Sequence, residues 1–179
     1  MLLFICLLAG SVAAYHIRFF RGSFIEKSVY QPFLDELCKH IEVDSIKFQP
    51  YISFPEYPPN TLLIGHSFGG TFALLHSQWT AQNNHSIILI NSHFNVNNQM
   101  PYFDIPFDAI SVKVHVFYCK EDMQLPSWAV KEDEKAAREK KDPLYFKEYE
   151  GDHFSIFQNR DLLNTCVRDI ALFLKEGGP

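Results

Sequence analysis

Residues 61–70 read Thr-Leu-Leu-Ile-Gly-His-Ser-Phe-Gly-Gly, and the reading of the fold turns on them. Thr61 to Ile64 is a continuous apolar run of the kind buried on both faces of a sheet, which predicts a central parallel strand. Gly69-Gly70 then opens a helical pattern through Phe72, Leu75, His76 and Trp79. The pentapeptide Gly65-His66-Ser67-Phe68-Gly69 therefore falls between a strand and a helix, a G-x-S-x-G in the strand-turn-helix setting that gives the motif meaning. A turn this sharp forces Ser67 into a strained backbone conformation, and side chains in place of the flanking glycines would collide with neighbouring backbone. The turn lifts the Ser67 hydroxyl into a crevice at the carboxyl end of the sheet. There the Phe68 amide faces any oxyanion that forms, and the helix dipole adds to its stabilisation.

Working outward, strands and helices alternate. Tyr15 to Phe20 is a strand that stops at Arg21-Gly22-Ser23, and Phe33, Leu34, Leu37, Cys38 and Ile41 recur at helical spacing behind Pro32. Ile46 to Tyr51 reads as the next strand, and three prolines make residues 54–60 a connection. Ser86 to Ile90, Val112 to Cys119 and Leu144 to Tyr149 are further strands, with a long loop expected over Asn91 to Ser111. A helix starts at Pro126-Ser127 and continues through the charge run KEDEKAAREKKD, read as a solvated face with i,i+4 pairs. Asn159 caps a last helix with Leu162, Leu163, Cys166, Val167, Ile170 and Leu174 on one face. The expectation is an α/β fold of about six mostly parallel strands with helices on both faces.

The 179 residues predict one domain over 15–179, and a 47% hydrophobic content with 21% charged residues excludes disorder. A net charge of −5 offers no basic excess for a nucleic-acid partner and favours a small molecule. Cys6, Cys38, Cys119 and Cys166 form no CxxC pair, and the eight His are scattered, so no metal site is expected. Residues 1–14, MLLFICLLAGSVAA, fit a signal peptide cleaved after Ala13 or Ala14, and equally a hydrophobic lead-in to the core. The first reading implies secretion or an endomembrane lumen, the second the cytoplasm. The apolar run is too short for a stable membrane span, which takes about 20 residues.

A serine hydroxyl becomes a nucleophile when a base takes its proton, and the base needs a carboxylate to hold it. Asp122 follows the fifth strand and His153 the sixth, so both fall on the same rim as Ser67, with Glu121 and Asp108 as alternative acids. The order Ser, Asp, His is the one found around nucleophile elbows. His66 reads as a packing residue beside the turn and Cys119 as inert core.

In GHSFGG, the KEDMQLP turn and GDHF before the last helix, the chain from Tyr15 to Leu174 resembles a small α/β hydrolase. Its size and turn are similar to those of the compact serine hydrolases grouped with retinoblastoma-binding serine hydrolase. The resemblance implies Ser67 as nucleophile, Asp122 as orienting acid and His153 as general base. It also implies a fold without its usual first two strands and without a cap domain, since the residues between Asn91 and Ser111 are too few for one. Arg21-Gly22-Ser23-Phe24 stands where relatives carry a His-Gly pair, leaving the second oxyanion amide, beside that of Phe68, open between Ser23 and Phe24. The implied activity is cofactor-free hydrolysis of small-molecule esters with short to medium acyl groups at an open site. Phe24, Phe68, Phe94, Tyr102, Phe103, Trp128 and Phe154 lie in or near its rim. A thioesterase or peptidase would use the same residues, and a catalytically dead hydrolase fold that binds a ligand is the rival from another class. The family's layout further puts the helices bearing Cys38 and Cys166 on one sheet face, which permits a disulfide in a secreted form.

Overall fold

The computed structural model describes residues 14–53, 55–79, 86–92, 112–140 and 144–175. The leader at 1–13 and the segment 93–111, with Phe94, Tyr102, Phe103 and Asp108, lie outside the described residues. Six strands, β1 (Tyr15–Phe20), β2 (Val43–Phe48), β3 (Thr61–His66), β4 (Ser86–Ile90), β5 (Val114–Cys119) and β6 (Leu144–Tyr149), form one sheet ordered β2-β1-β3-β4-β5-β6. Every pairing is parallel. The chain runs from β1 outward to β2 and then crosses back to β3, so its direction reverses between β1 and β3. In an open parallel sheet that switch point is where a crevice opens at the strands' carboxyl ends.

Parity along each strand divides the core. Ile17, Phe19, Leu62, Ile64, Ile88 and Ile90 face α1 (Gln31–Leu37) and α5 (Arg160–Lys175), while Phe20, Leu63, Ile87, Leu89, Val114 and Val116 face α2 (Phe68–Trp79) and α3 (Ser127–Lys140). Side chains in β3 and β4 from Leu62 to Ile64 and Ile87 to Ile90 are fully buried, which is why these runs carry no polar alternation. Each such Leu or Ile contributes about 1.5–3 kcal/mol, and truncating one to Ala costs about 2–5 kcal/mol. The short helix α4 (Ser155–Gln158) precedes α5, whose first turn is capped as expected: Asn159 Oδ1 accepts from the amides of Asp161 and Leu162 at 3.0 and 3.2 Å.

The structure corrects several expectations. β2 begins at Val43 and ends at Phe48, three residues earlier at each end than the Ile46 to Tyr51 reading. It is an edge strand, so Asp44 points into solvent and an apolar run misses its start, while Pro50 brings no amide to continue the ladder. β3 continues through Gly65 and His66 into the turn, and β5 starts at Val114. Cys38 and Cys166 form no disulfide: Cys38 caps α1 facing solvent, whereas Cys166 is buried against the sheet. The charged helix α3 turns most of its run to solvent, with Arg138 to Glu134 at 2.5 Å and Lys131 reaching Glu148 on β6 at 2.9 Å, but Asp133 within the run is buried.

Candidate active site

Residues that follow five strands, β1, β3, β4, β5 and β6, build the site at the carboxyl edge of the sheet. The backbone of Ser67, between β3 and α2, has φ of +52°, a left-handed conformation that a residue with a Cβ adopts only when its surroundings impose it. Two backbone bonds impose it here, from Ser67 N to Ile90 O and from Gly70 N to Ser67 O, both 3.0 Å. The glycines are sterically required. A Cβ on Gly65 would stand 2.4 Å from Gly70 Cα, and one on Gly69 would stand 2.2 Å from the Phe20 carbonyl oxygen. Phe68 opens α2, so its amide is among the first-turn donors that no helical carbonyl can reach.

The loop after β1 lies against this turn: a Cβ on Gly22 would be 3.4 Å from Ser67 Cβ. It is anchored from three sides, by Gly22 N donating to Tyr30 Oη at 2.9 Å, Arg21 Nη1 to Ile25 O at 2.8 Å and Tyr51 Oη to Arg21 O at 2.6 Å. None of these bonds uses the amide of Ser23 or Phe24. Phe24 has φ of +61° and a fully exposed ring. A cleft of ≈ 230 Å³ opens here, lined by Arg21 to Phe24 and by Gln49 to Tyr51.

After β5, Asp122 folds its side chain back into an Asx turn, with Oδ1 accepting from the amides of Gln124 and Leu125 at 2.8 Å each. Its Oδ2 lies 2.6 Å from Nδ1 of His153, which follows β6. Asp122 and His153 are 3% and 4% exposed, whereas Glu121 is exposed, so of these adjacent acids Asp122 is the one that meets the imidazole. The two loops are tied by backbone bonds from Lys120 N to Tyr149 O and Glu121 N to Gly151 O, 2.9 Å each. His153 Nε2 is buried and has no hydrogen-bond partner, so the Ser67 hydroxyl and the imidazole are not bonded to each other here. In free enzymes such a contact is often open and closes on substrate.

Three residues shape the site without having been assigned to it from sequence. Asn91, at φ +46° after β4, donates Nδ2 to the His153 carbonyl at 2.8 Å and accepts from Cys119 N, also at 2.8 Å. His66, wholly buried, lies 3.1 Å through Nε2 from the same carbonyl and 3.0 Å through Nδ1 from Tyr30 Oη. Burial holds its pKa down at about 3, with the nearby His153 adding to the effect. Burial likewise pushes the Tyr30 phenol up to about 12. Of the expected aromatic rim, Phe24 and Trp128 are exposed, Phe68 packs on Tyr51 and Phe72, and Phe154 lies beside the rings of His66 and His153. Among the described residues no three His, Cys, Asp or Glu side chains gather as a metal site, and no helix is long and apolar enough to cross a membrane.

No protein-family model and no curated protein sequence matches this chain. Solved structures do. The esterase domain of a Rhodothermus marinus protein superposes with a TM-score of 0.67 at 16% identity, covering 91% of this chain and 86% of that one. Carboxyl esterase 2 of the mycorrhizal fungus Tuber melanosporum gives 0.67 at 9% identity, over 93% and 78% of the two chains. An esterase of Pyrococcus furiosus gives 0.65 at 12% identity, over 92% and 82%. The chain has the α/β-hydrolase fold, in a compact version with a six-stranded, all-parallel open sheet.

Proposed function

We propose that this chain is a serine hydrolase that cleaves carboxylic esters through an acyl-enzyme, with Ser67 as nucleophile, His153 as general base and Asp122 as its orienting acid. The observation that carries the reading is the strained Ser67 at a helix N-terminus, on the same rim as a buried His153–Asp122 pair whose imidazole Nε2 has no hydrogen-bond partner. That three of the structural neighbours are named as esterases lends support to an ester as substrate.

In the first half of the reaction His153 Nε2 takes the Ser67 proton as Oγ adds to the ester carbonyl carbon. The carbonyl electron pair moves to oxygen, where the Phe68 amide and one from Ser23 or Phe24 receive it, each donor contributing roughly 3 kcal/mol. Collapse breaks the bond to the alkoxy oxygen, which takes the proton from His153 and leaves as an alcohol. Water then adds to the acyl carbon while giving a proton to His153. A second collapse releases the acid and returns the proton to Ser67 Oγ. Protein groups and the attacking water carry every proton in this scheme.

Labelling with a fluorophosphonate tests the reading. Wild type should form an adduct on Ser67 and hydrolyse p-nitrophenyl acetate or butyrate, and Ser67→Ala should do neither. A wild type that neither labels nor turns over these esters would instead mark the fold as a binding protein.

A further inference from the structure

Between the loop after β1 and the loop after β6 runs a buried chain of polar contacts that links Gly22 N, Tyr30 Oη, His66 Nδ1, His66 Nε2 and the His153 carbonyl. Its proton order follows from its ends. The Gly22 amide can only donate and the His153 carbonyl can only accept. Tyr30 Oη therefore accepts from Gly22 and spends its single proton on His66 Nδ1. That leaves the imidazole proton on Nε2, where it is donated to the His153 carbonyl. The two ambivalent groups between the fixed ends have one arrangement that satisfies every atom, and both are fully buried, so water offers no alternative.

We propose that His66, set in its tautomer by Tyr30, is a positioning residue for the reaction, joining the loop with the second oxyanion amide to the main chain of His153. The inference rests on the roles assigned to Ser67, His153 and the loop at residues 21–24. His153 is then pinned at two points. Asp122 holds Nδ1, while His66 and Asn91 hold its carbonyl, so the ring has little freedom to swing Nε2 away from Ser67. At its other end the chain fixes Gly22, next to the amides of Ser23 and Phe24. Base and oxyanion donors thereby share one rigid strut, and their separation is set by it. A donor displaced by about 1 Å can lose on the order of 100-fold in rate, which is the scale on which such a strut matters.

A set of three variants tests this. His66→Asn puts an amide oxygen near the Nδ1 position and keeps an acceptor for Tyr30, but leaves the His153 carbonyl without this donor. His66→Gln puts its amide nitrogen near Nε2 and keeps that donor. Tyr30→Phe keeps the ring that packs on Phe19 and Phe157 and removes only the oxygen. Rates on p-nitrophenyl butyrate are divided by the concentration of sites titrated with fluorophosphonate, so that unfolded protein is not counted. His66→Asn should lower kcat roughly tenfold with KM little changed, and His66→Gln should recover most of that loss. Tyr30→Phe should weaken binding of an alkylboronic acid, a mimic of the tetrahedral oxyanion, by roughly tenfold while KM stays within about twofold.

If the variants melt earlier but keep wild-type kcat per titrated site, or if Asn and Gln lose kcat equally, the side chains only fill space and the inference falls. A wild type that does not react with the fluorophosphonate at all overturns the hydrolase reading first, and this inference with it.

Discussion

Nδ1 of His153 lies 2.6 Å from Oδ2 of Asp122, between side chains only 5% and 1% exposed. The other carboxylate oxygen is already occupied by two backbone amides, so the group cannot rotate without losing them. In Asp122→Asn the side-chain oxygen would keep those amides and turn its NH2 toward His153. The imidazole would then have to accept at Nδ1 and carry its proton on Nε2, facing Ser67, which is the wrong tautomer for a base. The expected result is a fall in kcat of about 10³–10⁴-fold with near-normal stability, checked by ester turnover and urea unfolding.

Gly69→Ala should destabilise the fold by about 1–3 kcal/mol, because the new Cβ would meet backbone atoms, Phe20 O at 2.2 Å and Arg21 O at 2.4 Å. Gly70→Ala meets a side chain instead, Ser92 Cβ at 2.5 Å and Oγ at 2.2 Å. Adding Ser92→Gly should therefore restore much of the loss at position 70 and none at position 69. Equal rescue at both positions, measured by urea midpoints, would refute the steric account.

Acid should unfold the protein through the buried His66 and the half-buried His115. The pKa of His66 falls from 6.5 to about 3, and that of His115 to about 4, chiefly by burial. Below pH 6.5 the unfolded chain takes up protons that these folded side chains refuse. Their stabilising contribution is thus complete above about pH 6.5 and is lost progressively toward pH 4 and 3. The slope is at most about 1.4 kcal/mol per pH unit for each histidine. His115→Gln, remote from the candidate site, should flatten the stability profile between pH 6 and 4.5 by about that amount, read from urea unfolding at stepped pH.

Cys38 should react with a thiol reagent in the native protein, whereas Cys119 and Cys166 should wait for unfolding. Burial raises the Cys119 pKa to about 11 and that of Cys166 well above its ordinary value, so neither supplies thiolate at neutral pH. Peptide mapping after brief alkylation checks this. Early modification of Cys166 would contradict the packing of α5 on the sheet.

What could be read from sequence was local. Gly65 to Gly70 carries its strand, turn and helix in ten residues of context, and the buried runs Leu62 to Ile64 and Ile87 to Ile90 hold no polar residue to obscure them. β2 was harder because a sheet edge tolerates charge, so Asp44 hid its start. Asp122 was preferred to Glu121 from sequence, but the physical reason, an Asx turn that bends one carboxylate inward, is visible only in the fold. Tyr30 and Asn91 left no motif at all: their partners are 36 and 62 residues away, and no spacing rule reaches so far. Between the amides of Ser23 and Phe24 the anchoring of the loop makes no choice.

The parallel sheet also has a kinetic consequence. Ser67 and its neighbours sit at the end of β3, but the imidazole arrives only when β6 has paired with β5, and the bond from His66 to the His153 carbonyl closes a gap of 87 residues. Non-local parallel pairing is slow because loop entropy is lost before contacts repay it. On refolding, helical circular dichroism should therefore return ahead of esterase activity, and the lag between them would time the docking of the last strand.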